Sequence, residues 1–340
     1  MFILSDIITM TYLKPSLLLA ILLNVSFSFG QPSPYVEGFA HTYSIVARDS
    51  ETGEMAVGVQ SHWFSVGTIV AWGKSGVGVV ATQSFVNPAY GPEGLQLMAS
   101  GLEAGKALEL LVLKDEGKDF RQVAFLDVHG NVSAHTGDKC IESAGHLTGE
   151  NFSVQANMML NDEVVPAMKK AFLEHAHLPL AERVLKTLLA AENAGGDIRG
   201  KQSAALIVVG PEKTEKVWAD KMIDIRVDDH ANPLEELERL LQVHRAYDHM
   251  NKGDLALEKN DMHTAMKEYH AAQILQPQNV EMKYWTAVTM ANNGQLEASL
   301  PVFKEVFAVD GHWKELTKRL LKPGLLTVSE EELELILNDK

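Results

Sequence analysis

The segment TYSIVARD, residues 42–49, opens on a hydroxyl side chain and then alternates as a strand does. A threonine at the head of a first strand is a nucleophile when its own α-amino group is free to take the hydroxyl proton. Ser44 lies two residues on and therefore shares a strand face with Thr42. Thr and Ser are also ordinary strand residues, and by type alone a plain sheet is the commoner explanation of these two positions.

Other stretches carry polar groups at spacings that matter. ATQSFVNPAYG, residues 81–91, gathers Gln83, Ser84, Asn87 and Tyr90 at a strand end just before a helical pattern. Carboxamides and free backbone N–H groups there can hold a carbonyl oxygen or an oxyanion, and an Asn-Pro turn is the plainer alternative. HTGDKCIESAGH brings His135, Asp138, Cys140 and His146 near one another, but no pair has the spacing of a nucleophile–base or metal motif. In VDDH, Asp228, Asp229 and His230 are adjacent along the chain and so point to alternating sides, as suits a charged junction. GGDIRGKQS is glycine-rich, yet it lacks the Lys-Ser/Thr ending of a phosphate loop, so nucleotide binding is rejected.

The elements that must position these groups follow from periodicity. Residues 42–85 read as paired strands with a turn at SETGE, and residues 91–115 as two amphipathic helices broken around Gly101 and Gly105. RQVAFLDVHGNVSAHTG reads as a hairpin turning at 129–131. Helices over 163–177 and 180–193 follow, and then the strands SAALIVVG and VWADKMIDIRV. Blocks of helix between antiparallel strands predict an α+β domain rather than a doubly wound one.

Beyond residue 233 nearly everything is helical. A period of 34 pairs Gly253 with Ala287, Ala265 with Ser299, Tyr269 with Phe303, Ala272 with Val306 and Pro277 with Gly311. Small residues at close-packing points and an aromatic at the helix crossing are the tetratricopeptide (TPR) pattern. The first copy is good and the second degenerate, so the module is expected to lean on its neighbours.

The chain has 340 residues, room for two domains, and a formal charge of −15, which disfavours a nucleic-acid partner. Lys14 followed by SLLLAILLNVSFSFG reads as a secretory leader, with Ser28 and Gly30 placed for a cut before Gln31. A periplasmic or extracellular protein is expected, with no stable membrane span once the leader is removed. Its single cysteine leaves no internal disulfide, so packing must supply the stability. Nothing calls for a cofactor or a metal; His135, His146 and His230 are the residues a metal-dependent alternative would use. The expected organisation is a leader over 1–30, an arm over 31–41, an α+β domain over 42–233 and a helical region over 234–340.

Taken together, TYSIVARDSETGEMAVGVQS, VGVVATQSFVNPAYGPEGL, HTGDKCIESAGHLTGENFSVQANMM, GGDIRGKQSAALIVV and IDIRVDDHANPLEEL resemble the DUF1028 family, placed among the Ntn-hydrolase-like folds. The resemblance covers about residues 42–237. It implies a four-layer αββα sandwich whose first strand begins with the nucleophile, a role that falls on Thr42. On that reading Asn87 is expected to hold the oxyanion, and Ser44, Asp49 and Gln83 to shape or polarise the site. The substrate would be a small amide or peptide-like compound, and such sandwiches often pair as homodimers. This chain departs from the family's opening, because a cut before Gln31 leaves eleven residues, QPSPYVEGFAH, ahead of Thr42. A second expectation, of another class, is a binding or scaffold protein that holds a protein, a peptide or a cell-wall fragment on the TPR-like helices.

Overall fold

The computed structural model describes residues 39–338. The expected leader and the arm up to residue 38 lie outside them.

Among the described residues, eleven strands form two antiparallel sheets. In the first, β1 (Phe39–Ala40), β5 (Gly78–Phe85), β6 (Arg121–Asp127) and β7 (Val132–Thr136) lie in that order, with β4 (Ala71–Lys74) also on β5. In the second the order is β11 (Lys221–Val227), β10 (Ser203–Val209), β3 (Met55–Ser61), β2 (Thr42–Arg48), β9 (Phe152–Ala156) and β8 (Gly145–Gly149). β1 and β2 are separated by His41 alone yet belong to different sheets, so the chain crosses between the sheets at that residue.

The central strands are largely apolar on both faces because both faces are covered. Val46, Val57, Val59, Val79, Ala81, Ala124, Leu126, Ala205 and Ile207 meet between the sheets. The alternate positions point outward. Val80, Val123 and Phe125 pack under α1 (Tyr90–Ala99) and α2 (Ala104–Lys114), while Ile45, Phe152, Val154, Leu206 and Val208 pack under α3 (Val164–Glu174) and α4 (Leu180–Asn193). Full burial of a side chain such as Phe125 contributes about 1.5–3 kcal/mol. Two close approaches depend on glycine, since a Cβ at Gly94 would overlap the Phe125 ring and one at Gly58 would overlap Val184.

α5 (Pro233–Glu258) starts with proline in its first turn, where no N–H partner is lost, and runs for 26 residues. Its first half puts Leu234, Leu237 and Leu241 into the core beneath α3 and α4, and Arg245 makes a two-pronged contact to Glu182 at 2.9 and 3.0 Å. The second half packs Ala246, Met250 and Ala256 on α6 (Met262–Leu275). One continuous helix therefore serves both cores. α7 (Val280–Asn292), α8 (Leu296–Val309), α9 (His312–Arg319) and α10 (Glu330–Asn338) complete the helical region.

Hairpin β8–β9 and the crossing at His41 are the features that strand and helix periodicity left unassigned. The expected α+β class, the two pairs of helices and the change of texture near residue 233 agree with the fold. No described helix is long and apolar enough to cross a membrane.

Candidate functional site

The core between the sheets changes character along its length. On each central strand the inward positions are apolar until the end nearest His41, where they become polar: Val46 gives way to Ser44 and Thr42, Ala81 to Gln83, and Ala124 to Gln122. β9 adds Ser153 and Gln155, and Asn157 follows it. All of these side chains are buried.

A buried polar group left without a partner costs on the order of 1–3 kcal/mol, so this cluster must be internally satisfied. Ser44 Oγ donates to Gln83 Oε1 at 2.6 Å and accepts from Gln155 Nε2 at 2.7 Å, and Ser153 donates to Gln155 Oε1 at 2.8 Å. Gln83 Nε2 donates to Gln122 Oε1 at 2.7 Å and to the Thr42 carbonyl at 3.1 Å. Asn157 Nδ2 donates to Gln122 Oε1 at 2.9 Å, and Gln122 Nε2 fans out to Thr136 Oγ1 and the carbonyls of Gly145 and Ala156. Donor and acceptor roles alternate through the whole set, which fixes every carboxamide orientation.

Two successive carbonyls at the sheet crossing are held by this end of the molecule. The Thr42 oxygen accepts the backbone N–H of Asn157 at 3.1 Å as well as Gln83 Nε2. The His41 oxygen, on the amide that joins His41 to Thr42, accepts Ser61 Oγ at 2.7 Å and Arg199 Nη2 at 2.8 Å. Arg199 is itself aimed by Asp197, which takes its Nε at 3.0 Å, its Nη2 at 2.7 Å and its backbone N–H at 2.9 Å. The amide N–H of His62 completes the Asp197 carboxylate at 3.2 Å. A hydroxyl and a guanidinium on one carbonyl oxygen polarise it and stabilise negative charge that develops there.

His41 is 2% exposed. Its ring meets Phe85 edge-on with centroids 5.9 Å apart, and its Nδ1 lies 2.9 Å from Asn157 Oδ1. Burial lowers the pKa of the imidazole, partly opposed by the Asn157 hydrogen bond and reinforced by Arg199, so the ring is neutral near pH 7. The wall behind it is firm: Phe85 packs on Phe120, and its carbonyl takes Arg121 Nη1 at 2.6 Å. Ser84, just before, has a left-handed φ of 72°, and the ladder partner of Ser84 is Ala40 of β1. A non-glycine residue in that region marks local backbone strain.

The residues singled out by sequence are not all brought together. Thr42, Ser44 and Gln83 meet, with Thr42 and Ser44 on the inward face. Asp49 does not join them: it sits past the far end of β2, about 23 Å away at strand rise, and its carboxylate accepts the N–H groups of Glu51 and Thr52 in the turn to β3. Asn87 accepts the Ala89 N–H at 3.1 Å through its carboxamide oxygen, and the His41 carbonyl takes its hydrogen bonds from Ser61 and Arg199.

The histidines of the metal alternative each have other partners, although His135 and His146 stand near enough for their charges to interact. His135 bonds the Lys118 carbonyl, His146 bonds Thr136 Oγ1, and His230 accepts the Asn232 N–H. Cys140 donates to the Arg121 carbonyl, and burial raises its pKa. Asp228 and Asp229 pin loops, accepting Ser65 Oγ and Gln202 Nε2 respectively.

Sequence reasoning missed Ser61, Gln122, Gln155, Asn157, Asp197 and Arg199. The alternation in FSVQAN, with polar residues at 153, 155 and 157, was the available signal. Asp197 and Arg199 sit in the glycine-rich loop that had been considered only for phosphate.

Two stacked antiparallel sheets, helices outside each, and a carboxamide-lined end define an α+β protein with its candidate site at the sheet crossing. The chain belongs to DUF1028, described as a family of unknown function, which matches residues 42–237 and hence more than half of the chain. It is similar to the crystal structure of a DUF1028 protein from Silicibacter pomeroyi, with 31% identity and a TM-score of 0.54 over 60% of this chain and 88% of that one. No curated protein matches the chain.

Proposed function

We propose that this protein is an exported Ntn-type amidohydrolase whose nucleophile is Thr42, uncovered when the bond between His41 and Thr42 is cut by the protein itself or by a second protease. The reading takes the stacked sheets and their flanking helices as the four-layer αββα sandwich of that class. It takes the leader read over residues 1–30 as the export signal. The observation that carries it is the carbonyl of the His41–Thr42 amide, gripped by Ser61 Oγ and Arg199 Nη2 at 2.7 and 2.8 Å beside a threonine on the inward face of β2.

With Thr42 first, its α-amine takes the proton of Oγ–H while Oγ bonds to the substrate's carbonyl carbon. Ser61 and Arg199 receive the oxyanion where the His41 oxygen now lies. The intermediate collapses as the C–N bond breaks, and the leaving amine departs with that proton. Water then splits the acyl ester through the same amine base, giving the acid and restoring Thr42. Ser44 and Gln83 hold the strand and its carbonyl rather than react.

The test is the N-terminus of the exported protein by intact mass, paired with amide turnover. Thr42 first, with turnover abolished in Thr42→Ala, supports the reading. Activity that survives Thr42→Ala in a chain still carrying QPSPYVEGFAH refutes it.

A second role is favoured by one packing detail. A Cβ at Gly253 would overlap the Tyr269 ring, and Ala287 and Phe303, the counterparts 34 residues on, share one core. That supports reading residues 245–311 as TPR-like and as the place for a protein or peptide partner. A pull-down that needs this segment but tolerates changes at Thr42 would assign the function there.

A further inference from the structure

Resting on the Thr42 reading, we infer that the pocket filled by the His41 side chain is the acyl-side subsite of the enzyme, and that it takes a compact planar ring carrying one N–H donor, as in a histidyl amide. His41 stands to Thr42 as the acyl half of a substrate would, because its carbonyl carbon belongs to the amide whose oxygen sits on Ser61 and Arg199. The side chain one atom removed from that carbon, on Cα, therefore occupies the space a substrate's acyl substituent enters.

The walls define what fits. Phe85 presents its ring at 85° to the imidazole, and Phe85 is backed by Phe120 at 5.2 Å and tethered through Arg121. Asn157 supplies the polar selection. Both of its amide hydrogens are committed, to Gln122 Oε1 and to the Thr42 carbonyl at 3.4 Å, so only Oδ1 faces the pocket. The subsite thus offers an acceptor and asks for a donor, and His41 meets it through Nδ1–H at 2.9 Å. Missing such a donor leaves Asn157 Oδ1 buried and unpaired, a mismatch that discriminates strongly. Arg199 nearby and the lack of exposure both oppose a cationic substituent such as a lysyl group.

Two measurements test this. The processed protein is assayed on acetyl-histidyl, acetyl-alanyl, acetyl-leucyl and acetyl-lysyl p-nitroanilides. We expect kcat/KM for the histidyl compound to exceed the others at least tenfold and the preference to vanish in Asn157→Leu. In the intact chain, His41→Gly leaves the pocket vacant, so imidazole at pH 8 should raise its thermal midpoint where thiazole, a planar ring of the same size with no N–H, does not; His41→Ala serves if the glycine variant folds poorly. Equal turnover of the four amides overturns the subsite and leaves the hydrolase standing. Imidazole rescue with no amide hydrolysed overturns the hydrolase reading and with it the subsite's catalytic role, leaving a ring pocket only. Neither preference nor rescue overturns the inference on both counts.

Discussion

Arg199 Nη2 lies 2.8 Å from the carbonyl oxygen of His41, across 158 residues of sequence, and the same nitrogen is anchored to Asp197 at 2.7 Å. A guanidinium fixed in this way neither swings nor relaxes when charge grows on the oxygen it faces. This pre-set geometry is the form that makes an oxyanion donor effective.

Replacing Arg199 with methionine should therefore slow amide turnover by about 10²–10³-fold, the usual effect of losing one oxyanion donor. Circular dichroism should show the fold retained. An unchanged kcat would place the oxyanion elsewhere.

Gln122 stands at the branch point of the buried carboxamides, accepting from Gln83 and Asn157 and donating to Thr136 and two backbone carbonyls. Gln122→Leu strands several of those groups at once. Urea unfolding should show a loss of roughly 3 kcal/mol, beyond an ordinary surface change.

Gly253 lets α5 and α6 touch, with the Tyr269 ring where a side chain would be. Gly253→Ala should destabilise the helical region by about 1–3 kcal/mol through overpacking, despite the better helix propensity of alanine. Amide exchange should quicken in α6 before it does in β2 or β3.

Acid should act in two steps. Burial lowers the pKa values of His41 and His146 below the ordinary 6.5, so the unfolded chain binds more protons in the window just under that value. The associated stability is present above about pH 6.5 and is lost as pH falls toward the folded values. Asp115 titrates lower: burial would raise it, but hydrogen bonds from Arg121 and the Gly117 N–H outweigh that and hold its pKa below 3.8. Its contribution is lost only as pH falls through the folded value. In the intact chain the thermal midpoint should drop between pH 7.5 and 5.5, and the drop should shrink in the double variant His41→Gln, His146→Gln.

The strand TYSIVAR was readable from its alternation, which put Thr42 and Ser44 on one face and Tyr43, Ile45 and Ala47 on the other. Gln83 was readable too, as a polar residue at an apolar strand's end. Helix positions followed from spacing, because a helix's contacts lie within four residues of one another. Local turns take up the Asp49 carboxylate and the oxygen of the Asn87 carboxamide, and residue type alone does not show this. The same alternation already placed Thr42 and Asp49 a full strand length apart.

By itself, then, the sequence determined the α+β class, the helical region after residue 233 and the strand face that Thr42 shares with Ser44. Tertiary structure alone decided which donors face the His41 carbonyl, which carboxamides close into one network and which ring lies in the pocket beside Asn157. Those contacts join residues up to 158 positions apart. They depend on the register of two sheets and on the chain crossing between them at His41, and such pairing is a property of the packed whole rather than of any local stretch.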